Sequence, residues 1–121
     1  MGNYKELIVW QKSVALVTDI YSSTKNFPKE EIYCLTNQIR RSSISIPSNI
    51  AEGHSRRSQL DYIQFLKIAR GSSAELETQL LISKNLNYLN LEEFQILDEK
   101  LTEISKMLNA IISKLQTNPK P

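Results

Sequence analysis

The stretch SIPSNIAEGHSRRS, Ser45 to Ser58, decides how the chain folds. It sets Pro47 and Gly53 six residues apart and follows them with Arg56 and Arg57. The residues between the proline and the glycine suit a helix, and GHSRRS reads as a turn. Ser58 is a good N-cap, with Asp61 three residues on in the place of a capping-box acid. The stretch is therefore the corner of a helical hairpin. Inside the first arm, Pro47 removes a hydrogen bond to the Ser43 carbonyl and clashes there, which costs roughly 3 kcal/mol and bends the helix. Ser42, Ser43 and Ser45 offer hydroxyls to the freed carbonyls. The bend either wraps this helix around its neighbours or shapes a site or subunit surface. Asn49 and Glu52 lie just after it, on or near the stripe that holds Ile46. Buried, they need partners: Arg56 for Glu52, or a neighbouring subunit. Polar residues so placed fix register or oligomeric state.

Working outward from this corner, apolar residues recur at helical spacing throughout. Leu7, Trp10, Val14, Val17 and Tyr21 step by 3 and 4, broadened by Ile8, Ala15 and Ile20. They predict a first helix over about 5–25, ended by Pro28. The second, over 29–53, opens with Glu30 and Glu31 and carries Ile32, Leu35, Ile39 and Ile46, with Ser42 between. The third, over 58–89, has Leu66, Ala69, Ser73, Leu76 and Leu80, with Ile63, Phe65 and Leu86 alongside. Asn90 caps the fourth, over 91–116, where Phe94, Leu97, Leu101, Ile104, Leu108, Ile111 and Leu115 form an unbroken stripe. Residues 117–121 read as a frayed tail. Four helices, short connections and no strand candidate predict an all-α chain, one antiparallel up-down-up-down four-helix bundle.

The totals agree. A length of 121 residues fits one domain, and with 3 glycines and 4 prolines little of it can be loop. The single cysteine, Cys34, cannot form an internal disulfide, which points to a reducing compartment. No signal-peptide region and no membrane-length apolar run occur. Gly2 begins a myristoylation-like start, but Glu6 stands where Ser or Thr is needed. The chain reads as soluble and cytoplasmic.

Catalysis finds few candidates. His54 is the one histidine, beside a glycine in the turn, and a di-iron bundle would need two Glu-x-x-His pairs. Cys34 has Glu30, Asn37 and Gln38 one turn away and no cation to form a thiolate, so it reads as a small near-core residue beside Leu35. Three scattered glycines cannot build a phosphate loop. We expect no enzyme, no metal and no cofactor.

The second and third helices should approach closely. Ser42, Ser43, Ser45, Ser48, Ala51 and Gly53 mark one, and Ala69, Gly71, Ser72, Ser73 and Ala74 the other. Gly71 costs about 1 kcal/mol in mid-helix, for which close packing is a reason. Folding the hairpin about Ser55 brings Arg40 and Arg41 level with Lys67 and Arg70, ~21 Å from the turn, with Arg56 and Arg57 at its tip. Residues 28–57 carry 5 basic and 3 acidic side chains; residues 90–121 carry 4 and 5. Two readings of these cations stand. In one they pair internally, Arg40 or Arg41 with Glu75 or Glu77 and Arg56 with Glu52. Alternatively they face phosphate, which suits the planar guanidinium fork.

The segment FPKEEIYCLTNQIRRSSISIPSNIAEGHSR resembles the four-helix-bundle proteins encoded in intervening sequences of bacterial 23S rRNA genes, often labelled S23 ribosomal proteins. YKELIVWQKSVALVTDIY and DYIQFLKIARGSSAELETQL look like the same family, so the likeness covers nearly the whole chain. Its matching positions are Arg40, Arg41, Pro47, Asn49, Glu52, Gly53 and Arg56. The family is similar to the accessory protein of diversity-generating retroelements, a basic homopentameric bundle that works with a reverse transcriptase. The resemblance implies a left-handed bundle, a five-fold ring and nucleic-acid binding. With the charge map, it leads us to expect a non-catalytic protein that binds RNA or DNA phosphates through Arg40, Arg41, Arg56, Arg57, Lys67 and Arg70. Pro47, Asn49, Glu52 and Gly53 would then serve structure or assembly. The alternative is a scaffold ring that docks a partner such as a polymerase. No small-molecule substrate and no membrane contact are expected.

Overall fold

A computed structural model describes residues 2–117; the tail predicted over 117–121 lies outside them except for Thr117, which is helical. Four helices make up most of it: α1 (Ile8–Thr24), α2 (Leu35–His54), α3 (Gln59–Asn85) and α4 (Leu91–Thr117). Short 3-10 turns occupy Tyr4–Glu6 and Lys29–Glu31, and no strand occurs among the described residues. Each helix packs on its two neighbours, α1 on α2 and α4, α3 on α2 and α4, and the diagonal pairs make no close backbone contact. Cross-helix pairs give the directions. Ser42–Gln79 and Ser45–Ser72 join α2 to α3, and Arg70–Asn109 and Ser73–Ser105 join α3 to α4. Lys12–Glu103 and Asp19–Lys100 join α1 to α4. In each set one number rises as the other falls, so neighbours run antiparallel. No helix among the described residues is long and apolar enough to cross a membrane.

Local chemistry sets the helix ends. The Ser58 hydroxyl accepts the Asp61 N–H at 3.2 Å. Asn90 and Glu93 form a reciprocal capping box, each side chain accepting the other's N–H at 2.7 and 3.0 Å. Asn87, at φ 64°, takes the left-handed position that closes α3, with Tyr88 N–H on Ser83 O and Asn87 N–H on Lys84 O.

Three expectations need correction. The buried stripe of α1 is Val9, Ser13, Leu16, Ile20 and Thr24, while Ile8, Val14 and Tyr21 are exposed. The helix is rotated because Ser13 and Thr24 return their hydroxyls to the carbonyls of Val9 and Ile20 at 2.6 and 2.8 Å, which makes them fit for burial. The second helix begins at Leu35, not at 29. Cys34 leaves helical geometry at φ −121°, ψ −109°, and it, Ile32 and Tyr33 are exposed. The segment before it is held across the bundle end instead. Tyr88 donates its hydroxyl to Glu31 Oε2 at 2.9 Å and its ring packs on Phe27. That hydrogen bond raises the Tyr88 phenol above its ordinary value near 10. Finally, Leu86 lies exposed beside the α3 cap rather than in the core, which is filled by residues such as Ile39, Ile46, Leu66, Leu76, Leu101 and Leu108.

Candidate nucleic-acid interface

The corner is built as a close approach. Gly53 is buried, and a Cβ on it would meet the Phe65 Cβ at 2.6 Å and Tyr62 Cδ1 at 3.1 Å. No other residue lets α2 and α3 converge there. His54 ends α2 and sets its ring edge-on to Tyr62, 5.5 Å away. Burial raises the Tyr62 phenol above its ordinary value. Pro47 is buried inside α2, which continues through it to His54. The Ser43 hydroxyl turns to Arg40 O at 2.8 Å, and Asn49 Nδ2 reaches Ser45 O and Oγ at 2.8 and 2.9 Å. Asn49 is half-buried, with its Nδ2 donors satisfied within α2. Glu52 is exposed and pairs with Arg56 at 3.5 Å.

Of the six predicted cations, Arg56 and Arg57 share the tip. Arg56 lies over the Phe65 ring at 5.0 Å, and Arg57 is exposed with no partner among the described residues. Lys67 and Arg70 stand three positions apart on one face of α3. Arg70 Nη1 donates to Asn109 Oδ1 at 3.2 Å, which aims it toward α4. Arg40 belongs to the opposite side of the hairpin. Its Nε donates to Thr24 Oγ1 at 3.0 Å and its guanidinium covers Tyr21 at 4.6 Å, so it joins α2 to α1. Arg41 opens onto the α2–α3 groove beside Glu75.

The hairpin register explains the separation. Ser45 meets Ser72 and Ser42 meets Gln79, so the hairpin folds about residues 58–60 rather than Ser55. Arg41 therefore comes level with the residues just after Glu75, not with Arg70. The turn itself, Ser55–Ser58, takes up the difference.

Charge divides along the long axis instead of by helix. Cut just below Ser45–Ser72 on α2 and α3, and between the pairs Lys12–Glu103 and Asp19–Lys100 on α1 and α4, the half holding the tip comprises residues 2–17, 46–71 and 103–117, with 8 Lys and Arg against 4 Asp and Glu. The other half, residues 18–45 and 72–102, holds 6 against 9. Counting by segment hides this, because each helix crosses both halves. The acidic half also exposes Leu81, Ile82, Leu86, Leu91 and Ile96. No group of three or more His, Cys, Asp or Glu suited to a metal ion occurs among the described residues.

The sequence reading passed over the polar seam between α2 and α3. Ser42 Oγ donates to Gln79 Oε1 at 2.6 Å, and Ser45 and Ser72 share a hydrogen bond of 2.8 Å. Ser42, Ser72 and Gln79 are all buried. The available signal was spacing: Ser42, Ser45 and Asn49 step by 3 and 4, and Ser72 and Gln79 by 7.

Comparison with known proteins places this geometry in a family. No protein of curated function matches the sequence. The chain is similar to a protein of unknown function from the S23 ribosomal protein family of Bacteroides thetaiotaomicron, with a TM-score of 0.79 and 30% identity over 87% of this chain and 98% of that one. Residues 5–110 match the 23S rRNA-intervening sequence proteins. With that match spanning most of its length, the chain belongs to the 23S rRNA-intervening sequence protein family.

Proposed function

We propose that this protein is a non-catalytic, cytoplasmic, nucleic-acid-associated bundle that assembles with copies of itself and grips phosphates with its basic half. The observation that carries this reading is the uneven charge along the axis, 8 basic against 4 acidic residues around the Arg56–Arg57 tip. Arg56, Arg57, Lys67 and Arg70 are the contacts; Arg40 is engaged with α1. A five-fold ring, as the likeness to the retroelement accessory protein suggests, would repeat that surface and multiply a weak single grip. The family's tie to rRNA genes favours RNA as the ligand. A second reading, a scaffold that docks a protein partner, draws support from the exposed apolar side chains of the acidic half.

Anisotropy of a labelled structured RNA and a matched DNA, at low and near-physiological salt, tests the proposal. Binding should weaken steeply with salt. Arg56→Gln/Arg57→Gln should lower the log–log salt slope by about 2, whereas Lys25→Gln/Lys29→Gln in the acidic half should leave it unchanged. A folded protein that binds neither nucleic acid at low salt would overturn this reading in favour of the scaffold.

A further inference from the structure

We infer that the groove between α2 and α3 is a recognition site for an unpaired guanine base. This inference rests on the nucleic-acid reading and adds a base-reading site to it. The groove holds about 270 Å³ and is lined by Gln38, Arg41, Ser42, Ser45 and Glu75. Its floor is satisfied from within: the Ser42 hydroxyl donates to Gln79 Oε1, and the Ser45 hydroxyl shares a hydrogen bond with Ser72 and accepts one from Asn49 Nδ2. The groups left for a ligand are those at the rim, the Arg41 guanidinium, the Glu75 carboxylate and the Gln38 carboxamide, all on exposed residues.

Arg41 and Glu75 face one groove with opposite charge, yet neither forms an ion pair with any described residue. The short floor side chains leave a gap between them. Gly71, one helical turn before Glu75, is exposed, with nothing within 4 Å of where a Cβ would stand, so no side chain crowds α3 at that point.

A ligand that fills such a gap needs two adjacent donors for the carboxylate and two adjacent acceptors for the guanidinium. Guanine has both, N1–H with the N2 amino group, and O6 with N7. An arginine fork fits O6 and N7. Adenine turns its amino donor toward the arginine and a bare N1 toward the carboxylate. Cytosine and uracil lack the paired donors. Unstacked bases of single-stranded RNA present both edges at once, whereas pairing in a duplex occupies N1–H and the N2 amino group.

The test is competition anisotropy at fixed salt with short uridine-only RNA strands that carry one central guanosine, adenosine or cytidine. The guanosine strand should compete about tenfold better. Glu75→Gln, which replaces an acceptor with a donor, should abolish that preference while affinity for the all-uridine strand holds. Amide NMR spectra with GMP and with AMP form the second arm. Shifts at Gln38, Arg41 and Ser45 with GMP alone support the site for a free nucleotide as well as for a strand. Equal binding of all strands overturns the guanine site and leaves phosphate binding standing. No strand binding overturns the phosphate reading, and the guanine site then falls too unless GMP gives those shifts.

Discussion

The α2–α3 and α1–α4 seams are held in opposite ways. Between α2 and α3 the contacts are small and neutral: Gly53 under Phe65, Ser45 on Ser72, Ser42 on Gln79, mostly out of water. Between α1 and α4, aliphatic side chains such as Leu16, Ile20, Leu101 and Ile104 fill the inside. The rim carries the ion pairs Lys12–Glu103 at 3.2 Å and Lys100–Asp19 at 2.6 Å. Buried hydrogen bonds are directional and costly to leave unmade, so they fix register. Exposed ion pairs are screened and flexible, so they stabilise little. The first seam sets which residues face each other across the hairpin, and so which side chains edge its groove.

Breaking the first seam should have the largest effect. Gly53→Leu drives a side chain into Phe65, where even a Cβ stands at 2.6 Å. Overpacking of this kind should cost about 3 kcal/mol or more, seen as a fall in the urea midpoint. An unchanged midpoint would mean that α2 and α3 separate easily there. Next comes Ser42→Ala, which leaves the buried Gln79 carbonyl oxygen without its donor and should cost about 1–2 kcal/mol. Combining it with Gln79→Leu should recover most of that loss, since both polar groups are then gone. A double variant as unstable as Ser42→Ala would show that the bond is not what holds this level of the seam.

The two helical glycines sharpen the point. Gly71 sits exposed on α3 with open space around it, so close packing does not explain it. Gly71→Ala should stabilise the protein by about 0.5–1 kcal/mol in the same urea titration, the opposite sign to Gly53→Leu. A loss instead would mean that the α2–α3 face tolerates no added bulk, as at a subunit contact.

Helix number, the Ser58 and Asn90 caps and the closeness of α2 and α3 were legible because each rests on local rules: periodicity, capping residues and residue size. The α1 stripe was not. Ser13 and Thr24 count as polar in any periodic reading, yet each hides its hydroxyl on its own helix. The start of α2 was missed because Glu30 and Glu31 make a good first turn, while the Glu31–Tyr88 bond that draws that turn aside spans 57 residues. The candidate site was legible as a set of arginines but not as a surface. Arg40 and Arg41 are chain neighbours, but successive helical residues point about 100° apart, so one reaches α1 and the other the groove. The hairpin register depends on the Ser–Gln and Ser–Ser pairs, which no single-helix pattern displays.

The smallest effect belongs to the second seam. Lys100→Met removes the 2.6 Å pair with Asp19, whose partners are 50% and 39% exposed. Methionine keeps the apolar stem that lies along the α1–α4 rim, so the change isolates the charge. The expected loss is about 0.2–0.5 kcal/mol at low salt and none resolvable at high salt, where screening already dissolves the pair. The chain supplies a reason beyond screening. Asp19 and Lys100 lie in the half with 6 basic against 9 acidic residues, so losing one cation there adds mild general repulsion, which salt also removes. A loss that persists in high salt cannot come from charge. It would assign to the Lys100 stem a packing role against Ala15, Leu16 and Ile104, the apolar residues that line the same hollow.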